Sequence, residues 1–141
     1  VVLQGTFPPP DPREERTVEQ TEPGKPKVVT TFTIRFRDPD PEDVTLRAFL
    51  AADYSKFVEE KRVGPVSSGD RSAAIDIVGL CDDLVNNTLG VYDFEVYLSD
   101  TGFVEQGADL RDTAVFGGRK GSRDHARWRV DCVPAPPSEE G

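Results

Sequence analysis

The chain has 141 residues, of which 36% are hydrophobic and 30% are charged, and its formal net charge is −9 at pH 7. This length suits one ordinary domain with flexible ends and is too short for two. The acidity argues against nucleic acid or an anionic membrane surface as the main partner, because binding to phosphates requires a positive surface. No run of about 18 apolar residues is present, so the sequence predicts no transmembrane segment.

The first 27 residues are predicted to form an N-terminal arm. Residues 1–7 have the composition of one short strand, but six prolines lie among charged residues between positions 8 and 27. Such a composition favours an extended linker or a solvated loop over a packed core. The chain carries neither an initiator methionine nor a signal peptide, so we expect a mature or trimmed product from which an export signal has been removed.

Alternation of apolar and polar residues predicts strands over residues 28–37, 44–50 and around 73–77. The segment D-P-D-P-E-D at residues 38–43 ends the first of these strands, because proline removes a ladder donor and aspartate favours turns. Residues 51–62 fit either one helical turn or an edge strand, and we interpret them as an irregular edge.

The clearest strand covers residues 89–99, whose alternation predicts one buried face and one solvated face. Its inward side chains are Tyr92, Phe94, Val96 and Leu98. A long glycine-rich loop is expected over residues 101–124, followed by a last strand over 125–133. Residues 134–141 are expected to be a disordered tail.

These elements predict an all-β fold. Five clear strands and two or three weak ones, with short connections and no long helix, are typical of an antiparallel sandwich rather than a parallel sheet. The two cysteines, Cys81 and Cys132, are too few and too far apart for a zinc site. They would form one disulfide, which would place the protein outside the cytoplasm, or remain two buried free thiols.

Two short motifs carry a family resemblance. One is D-P-D-x-x-D, at Asp38, Pro39, Asp40 and Asp43. The other is G-x-Y-x-F-x-V-x-x-x-D, at Gly90, Tyr92, Phe94, Val96 and Asp100. Together they resemble bacterial immunoglobulin-like modules of the cadherin-like and PKD-like kind, which occur in surface and exported proteins and often in lipoproteins. The resemblance covers residues 28–132. It implies an antiparallel immunoglobulin-like sandwich of about seven strands over residues 28–133, preceded by the extended proline-rich arm over residues 1–27.

The chain departs from such modules at several points. Pro41 stands where they commonly carry glycine, and a cysteine pair is not a fixed feature of theirs. The loop that follows Asp100 is far longer than a hairpin turn. An enlarged loop at one end of a sandwich is where a binding specialisation would lie.

The resemblance also implies a topology. Strands 44–50, 89–99 and 125–132 would share one sheet. Tyr92 would then be either a corner tyrosine, whose hydroxyl bonds to upstream backbone, or a simple core aromatic. The same arrangement brings Cys81 and Cys132 to one end of the sandwich and so favours the disulfide over free thiols.

Opposite charges would face each other on the outer side of that sheet. Asp93 and Glu95 on the strand 89–99 would be flanked by Arg47, Arg127 and Arg129 on its two neighbours. Pairs of this kind stabilise the correct register by a few tenths of a kcal/mol each. We interpret the arginines as structural rather than as a binding site.

Four carboxylates are candidate metal ligands because the two loops that carry them share one end of the predicted sandwich. They are Asp38, Asp40, Asp43 and Asp100. Hard oxygen ligands of this kind would hold calcium. The alternative is that aspartates next to prolines simply form turns. No other cofactor is predicted.

The sequence offers no catalytic site. His125 is the only histidine, and no G-x-S-x-G stands near it. The segment G-G-R-K-G-S-R at residues 117–123 lacks the spacing of a phosphate-binding loop, although its charge would suit an acidic polysaccharide or the carboxylates of a partner.

Two functional hypotheses follow, and neither is an enzyme. The first is a monomeric, exported module with a structural or protein-interaction role in the cell envelope. Its location would be periplasmic, cell-surface or secreted. The removed N-terminal segment could have carried a lipid anchor. The partner of this module would be a protein or polysaccharide of the envelope. The second is a calcium- or carbohydrate-binding domain that uses the loop end. A ligand-binding domain should expose Phe103 or Phe116, whereas a scaffold should pack them.

Overall fold

The computed structural model describes residues 2–7, 16–38, 43–50, 54–82, 84, 88–107, 109–111, 115–116, 119–120 and 123–135. Within these ranges the chain is all-β and contains no helix, which confirms the predicted class. No helix among these residues could therefore cross a membrane. The strands are β1 (Val2–Phe7), β2 (Arg16–Glu19), β3 (Val29–Arg37), β4 (Val44–Leu50), β5 (Glu59–Val63), β6 (Asp70–Val78), β7 (Gly90–Ser99), β8 (Val115–Phe116), β9 (Arg119–Lys120) and β10 (Arg123–Val133).

The strands form two larger sheets and one short hairpin. The first sheet has the order β1-β3-β6, the second has the order β2-β10-β7-β4-β5, and β8 pairs with β9. The prediction that residues 44–50, 89–99 and 125–132 share a sheet is confirmed, since β7 lies between β4 and β10. The ladders are antiparallel except that of β2 with β10, which is parallel.

The two larger sheets pack face to face around an aromatic centre, so the fold is sandwich-like. Phe32 of β3 stacks on Phe94 of β7 with ring centroids 4.3 Å apart, and Trp128 of β10 lies 4.8 Å from Phe32. All three rings are buried, as their positions in the alternating patterns predict. Burying one large aromatic side chain contributes about 1.5–3 kcal/mol, so this centre is a principal source of stability.

Two strands lie within the predicted N-terminal arm. The short first strand is present as β1, which pairs with β3. The linker prediction does not include β2, which forms an edge strand beside the end of β10 and buries Val18 against the core. A strand this short is hard to recognise in a proline-rich segment, because it needs only one inward apolar side chain and so hardly changes the composition of the segment. Residues 8–15 lie outside the described residues.

The ambiguous segment 51–62 contributes an edge strand rather than a helical turn. Glu59–Val63 form β5 at the edge of the larger sheet, and residues 51–53 lie outside the described residues. Lys61 donates to the carbonyl of Ala74 (2.9 Å), and buried Arg71 donates to the carbonyl of Val63 (3.0 Å). These two cations connect β5 to β6 and so join the two sheets at this corner.

The predicted disulfide is confirmed. Cys81, in the connector after β6, is bonded to Cys132 on β10, and their Cα atoms are 5.6 Å apart. Tyr92 behaves as the corner interpretation predicts, since its hydroxyl donates to the carbonyl of Thr88 upstream. Its ring also packs against the core, so the two interpretations of this residue are compatible.

Asp82 follows Cys81 and fixes the chain segment between β2 and β3. Its carboxylate accepts hydrogen bonds from the backbone N–H (2.8 Å) and the hydroxyl (2.7 Å) of Thr21, and Lys27 Nζ lies 3.5 Å away. The side-chain amide of Gln20 donates to the carbonyl of Cys81 (3.0 Å). The N-terminal segment is therefore anchored beside the disulfide.

The variant Asp82→Asn tests this anchor through its pH dependence. Burial alone would raise the pKa of Asp82, but the bonds from Thr21 and the charge of Lys27 lower it below its ordinary value. The carboxylate thus contributes stability that is fully present above the unfolded-state pKa of about 4 and is lost as the pH falls through the lower folded-state pKa. We expect Asp82→Asn to be less stable by about 1–2 kcal/mol at pH 7, with a difference that shrinks below pH 4. Urea denaturation at several pH values measures it, and a pH-independent difference would contradict the anchor.

The variant Gly79→Ala should disturb the same anchor. A Cβ atom at Gly79 would lie 2.6 Å from Oδ2 of Asp82, and the backbone has a φ of 66°, which a side chain disfavours. We expect a loss of about 2–3 kcal/mol in the free energy of unfolding. Gly24→Ala is the matched control, since Gly24 also has a positive φ but no neighbouring atom within 4 Å. It should cost about 1 kcal/mol, and equal losses at the two positions would contradict a clash with Asp82.

Candidate functional site

The structure describes three of the four predicted calcium ligands, and Asp40 lies outside the described residues. Asp38 is buried where β3 ends, and its backbone N–H donates to the carbonyl of Gly69 (2.9 Å). Asp43 is exposed before β4, and Asp100 is half-buried after β7. Among the described residues no group of three or more acidic, histidine or cysteine side chains could hold a metal ion. The calcium site therefore stays a prediction.

The outer face of the larger sheet is covered at the end where β7 finishes. The prediction of a solvated face is wrong for this half of the sheet, because Glu95, Tyr97 and Ser99 of β7 are buried. Arg47 and Phe49 of β4 are buried in the same way. The cover is a second hydrophobic cluster, separate from the core between the sheets, which we call the outer cluster. It consists of Phe49, Tyr97, Phe103 and Leu110, with Tyr54 and Val104 at its margin.

Two loops supply this cover. Residues 54–58 precede β5 and residues 101–111 follow β7, and the backbone N–H of Leu110 donates to the carbonyl of Tyr54 (2.7 Å). The rings of Tyr54 and Tyr97 lie 5.7 Å and 5.9 Å from that of Phe49. Tyr54 thus packs the first loop against the sheet, and Phe103 and Leu110 pack the second loop into the same cluster.

Arg47 connects the sheet to both loops. Its Nε donates to Glu60 on β5 (2.5 Å), while Nη1 donates to the carbonyls of Val104 (2.6 Å) and Leu110 (3.1 Å). Its guanidinium also lies over the ring of Phe57, at 4.3 Å from the centroid. The prediction that Arg47 flanks Asp93 and Glu95 is wrong, because the strand register places it opposite Tyr97 and Glu60.

Glu95 is a buried carboxylate with two phenol donors. It accepts hydrogen bonds from the hydroxyls of Tyr54 and Tyr97, the latter at 2.9 Å. Burial, together with the bond to Glu95, raises the pKa of Tyr54 to about 12. Burial likewise raises the pKa of Tyr97. Both hydroxyls therefore remain protonated donors at neutral pH, which is what a buried carboxylate requires.

Arg111 and His125 lie against the two tyrosines. The guanidinium of Arg111 is 3.5 Å from the ring centroid of Tyr54 and pairs with Asp109 through two nitrogens, at 2.7 Å and 2.9 Å. That pairing raises the pKa of Arg111. His125, the only histidine of the chain, is exposed and stacks on the ring of Tyr97 at 5.1 Å. A cation over an aromatic face adds about 0.5–2 kcal/mol, so the contact of Arg111 with Tyr54 also holds the two loops together.

The polar groups of the outer cluster are directed at each other and at backbone carbonyls. The carboxylate of Glu95, the phenols and the guanidinium of Arg47 all use described partners within the protein. Phe103, whose exposure was to separate a ligand-binding domain from a scaffold, is only 6% exposed. The side chain of Phe116 lies outside the described residues. The arrangement therefore holds two loops on a sheet.

Sequence reasoning did not identify Tyr54, Arg111 or Leu110 as members of a cluster. One signal was available: Phe49 and Tyr97 place aromatic rings at strand positions that the alternation assigns to solvent. Large aromatic side chains on an outward face usually have something packed over them. No protein-family model matches this chain, and no curated protein is similar to it in sequence.

Proposed function

We propose that this chain is a non-catalytic, exported immunoglobulin-like module with a structural or protein-interaction role in the cell envelope. The observation that carries the proposal is the outer cluster. At the end of the sandwich where a binding specialisation was expected, the described part of the loop packs Phe103, Val104 and Leu110 against the sheet. A loop folded in this way serves the stability of a scaffold.

The strand arrangement supports the immunoglobulin-like assignment. β3 pairs with β6 in one sheet, whereas β4, β7 and β10 are neighbours in the other. Such modules have the same division, with strand B in one sheet and strands C, F and G in the other. The corner hydrogen bond of Tyr92 to Thr88 adds a feature typical of them.

The disulfide supports an exported location. A bond between Cys81 and Cys132 persists in oxidising compartments and is rare in the cytoplasm. Both cysteines are buried, at 0% and 1% exposure, so the pair has a structural role.

Thiol trapping in intact cells of the source organism, followed by fractionation, tests the proposal. Cells are quenched in acid so that thiols cannot exchange, and the denatured chain is treated with a maleimide polymer, while a parallel sample is crosslinked within the envelope fraction. We expect no gel shift from maleimide, recovery with the envelope, and a crosslinked species larger than the 15.5 kDa chain. Two modified thiols, or a cytoplasmic chain that is never crosslinked to a partner, would refute it.

A further inference from the structure

The disulfide lies beside the N-terminal segment of the chain. Cys81 and Cys132 are 0% and 1% exposed, so a reductant has no access to either sulfur in the folded state. Residues 16–28, which we call the latch, comprise β2 and the turn that leads to β3. Val18 of the latch is directly opposite Cys132 in the parallel ladder, and both residues are buried. Because β2 is the end strand of its sheet, moving it away would uncover this part of β10.

The latch is bonded to the chain segments on both sides of the disulfide. On the β10 side, the backbone N–H of Gln20 donates to the carbonyl of Val133 (2.9 Å). On the other side, the side-chain amide of Gln20 donates to the carbonyl of Cys81 (3.0 Å). The backbone N–H and the hydroxyl of Thr21 both donate to Asp82, the residue after Cys81. Gln20 and Thr21 therefore hold together the two segments that carry the cysteines.

The latch is less firmly held than the sheets on which it lies. Its ladder with β10 covers only Arg16–Glu19 and buries one side chain, Val18, whereas the ladder between β7 and β10 covers the whole of Gly90–Ser99. Residues 23–27 of the latch are exposed. Edge segments with little buried apolar surface open at a lower free energy than the whole domain unfolds. We therefore expect the latch to open while the two larger sheets stay folded.

We propose that the disulfide is a gated site of thiol–disulfide exchange, which a dithiol reaches only when the latch opens. One thiolate of the dithiol attacks a sulfur of the bond and forms a mixed disulfide, while the other cysteine leaves as a thiolate and takes up a proton. The second thiol of the dithiol, as its thiolate, then displaces the remaining cysteine in the same way. The dithiol is thereby oxidised to a disulfide, and Cys81 and Cys132 are reduced to thiols.

Reduction of the purified full chain by dithiothreitol tests the gate. Samples are quenched in acid at intervals, and the free thiols of the denatured chain are then counted by gel shift with a maleimide polymer. The rate of reduction is measured at several urea concentrations below the unfolding transition. We expect the logarithm of this rate to rise with urea much less steeply than that of the equilibrium constant for unfolding, because opening the latch exposes little surface.

Two threonine variants separate the latch from the general loss of a hydrogen bond. Thr21→Val removes the hydroxyl that donates to Asp82 and should raise the rate of reduction about tenfold. Thr31→Val is the matched control, since its hydroxyl donates to Asp76 (2.6 Å) within the other sheet, and its rate should stay within about twofold of the wild type. The carbonyl of Thr31, which accepts from Arg16 of the latch, is unchanged in this variant.

The variant Arg47→Ala separates opening of the latch from unfolding of the whole domain. Arg47 lies on β4, which β7 and β10 separate from β2. Loss of its hydrogen bonds should lower the stability of the domain and leave the latch closed, so reduction should stay within about twofold of the wild-type rate. If reduction required global unfolding, this variant would instead be reduced about a hundredfold faster, in proportion to its unfolding constant.

Four outcomes would overturn the gate. One is a rate of reduction that rises with urea as steeply as global unfolding does. The second is an Arg47→Ala variant that is reduced faster than Thr21→Val, and the third is equal rates in the two threonine variants. The fourth is a folded chain that dithiothreitol does not reduce at any urea concentration below the transition.

Discussion

Replacing Cys81 and Cys132 together by alanine is expected to lower the free energy of unfolding by about 4 kcal/mol. The bond spans a sequence separation of 51 residues, and in the chain-entropy model a loop of that length greatly restricts the unfolded chain. Alanine is the appropriate replacement because both positions are buried and a serine hydroxyl would require a partner there. The total free energy of unfolding of a typical domain is only about 5–15 kcal/mol, so the disulfide would account for a large part of the stability.

Urea denaturation at pH 7 without reductant measures this loss. Wild-type protein unfolded in the presence of reductant is the internal control, since the reductant removes the same crosslink without replacing any residue. Both samples should show a similar reduction in stability. A loss below about 1 kcal/mol in both would show that the disulfide does not restrain the unfolded chain as proposed.

Replacing Arg47 by alanine is expected to cost about 3 kcal/mol. The variant loses the bond to Glu60 and leaves the carbonyls of Val104 and Leu110 without this donor. It also removes a guanidinium that packs against Phe57. Because these partners lie in the two covering loops and on β5, the outer cluster should loosen more than the core between the sheets.

Two further variants make the Arg47 prediction specific. Arg47→Lys keeps the charge but lacks the planar fork that reaches several acceptors at once, so it should recover less than half of the loss. Arg35→Ala removes an exposed arginine from β3 and should change the stability by no more than about 0.5 kcal/mol. Urea denaturation provides the comparison, and an Arg47→Ala variant as stable as Arg35→Ala would contradict the role assigned to Arg47.

Local alternation predicts most of the sheet architecture because each strand has a continuous apolar side. Phe32, Phe94 and Trp128 meet in the core as their periodicity requires. The register that places Arg127 opposite Glu95 and Arg129 opposite Asp93 also agrees with the predicted pairing of charges. These features depend on neighbours within one strand or on adjacent strands.

The outer cluster could not be predicted in the same way. Whether the polar side of β7 is solvated depends on residues 101–111, which come after the strand and have no period of their own. Arg47 shows the difficulty: a charged residue at an outward strand position indicates solvent, yet here it is buried because two loop carbonyls and Glu60 accept its hydrogen bonds. Two of these three acceptors are backbone carbonyls, whose positions cannot be read from a sequence.

The predicted calcium ligands show that the sequence also gives only part of the geometry of a candidate site. The two predicted loops do bring Asp43 and Asp100 to one end of the sheet, since they flank the paired residues Thr45 and Ser99. Asp38, however, is buried at the end of β3, where its backbone N–H continues the pairing with β6 by donating to the carbonyl of Gly69. Sequence can place a carboxylate at an end of the fold, but it does not say whether the side chain faces solvent or the interior.

Amide hydrogen exchange at Leu110 tests most directly whether the end of β7 is closed as a scaffold rather than open as a ligand site. Its N–H is bonded to the carbonyl of Tyr54 at 2.7 Å, and Leu110 is 6% exposed. In the purified chain without any ligand, we expect this amide to be protected, whereas the amide of exposed Glu105 in the same loop should exchange quickly. Exchange at Leu110 as fast as at Glu105 would mean that the loop opens freely, and the covered face of β7 would then have to be regarded as a binding surface.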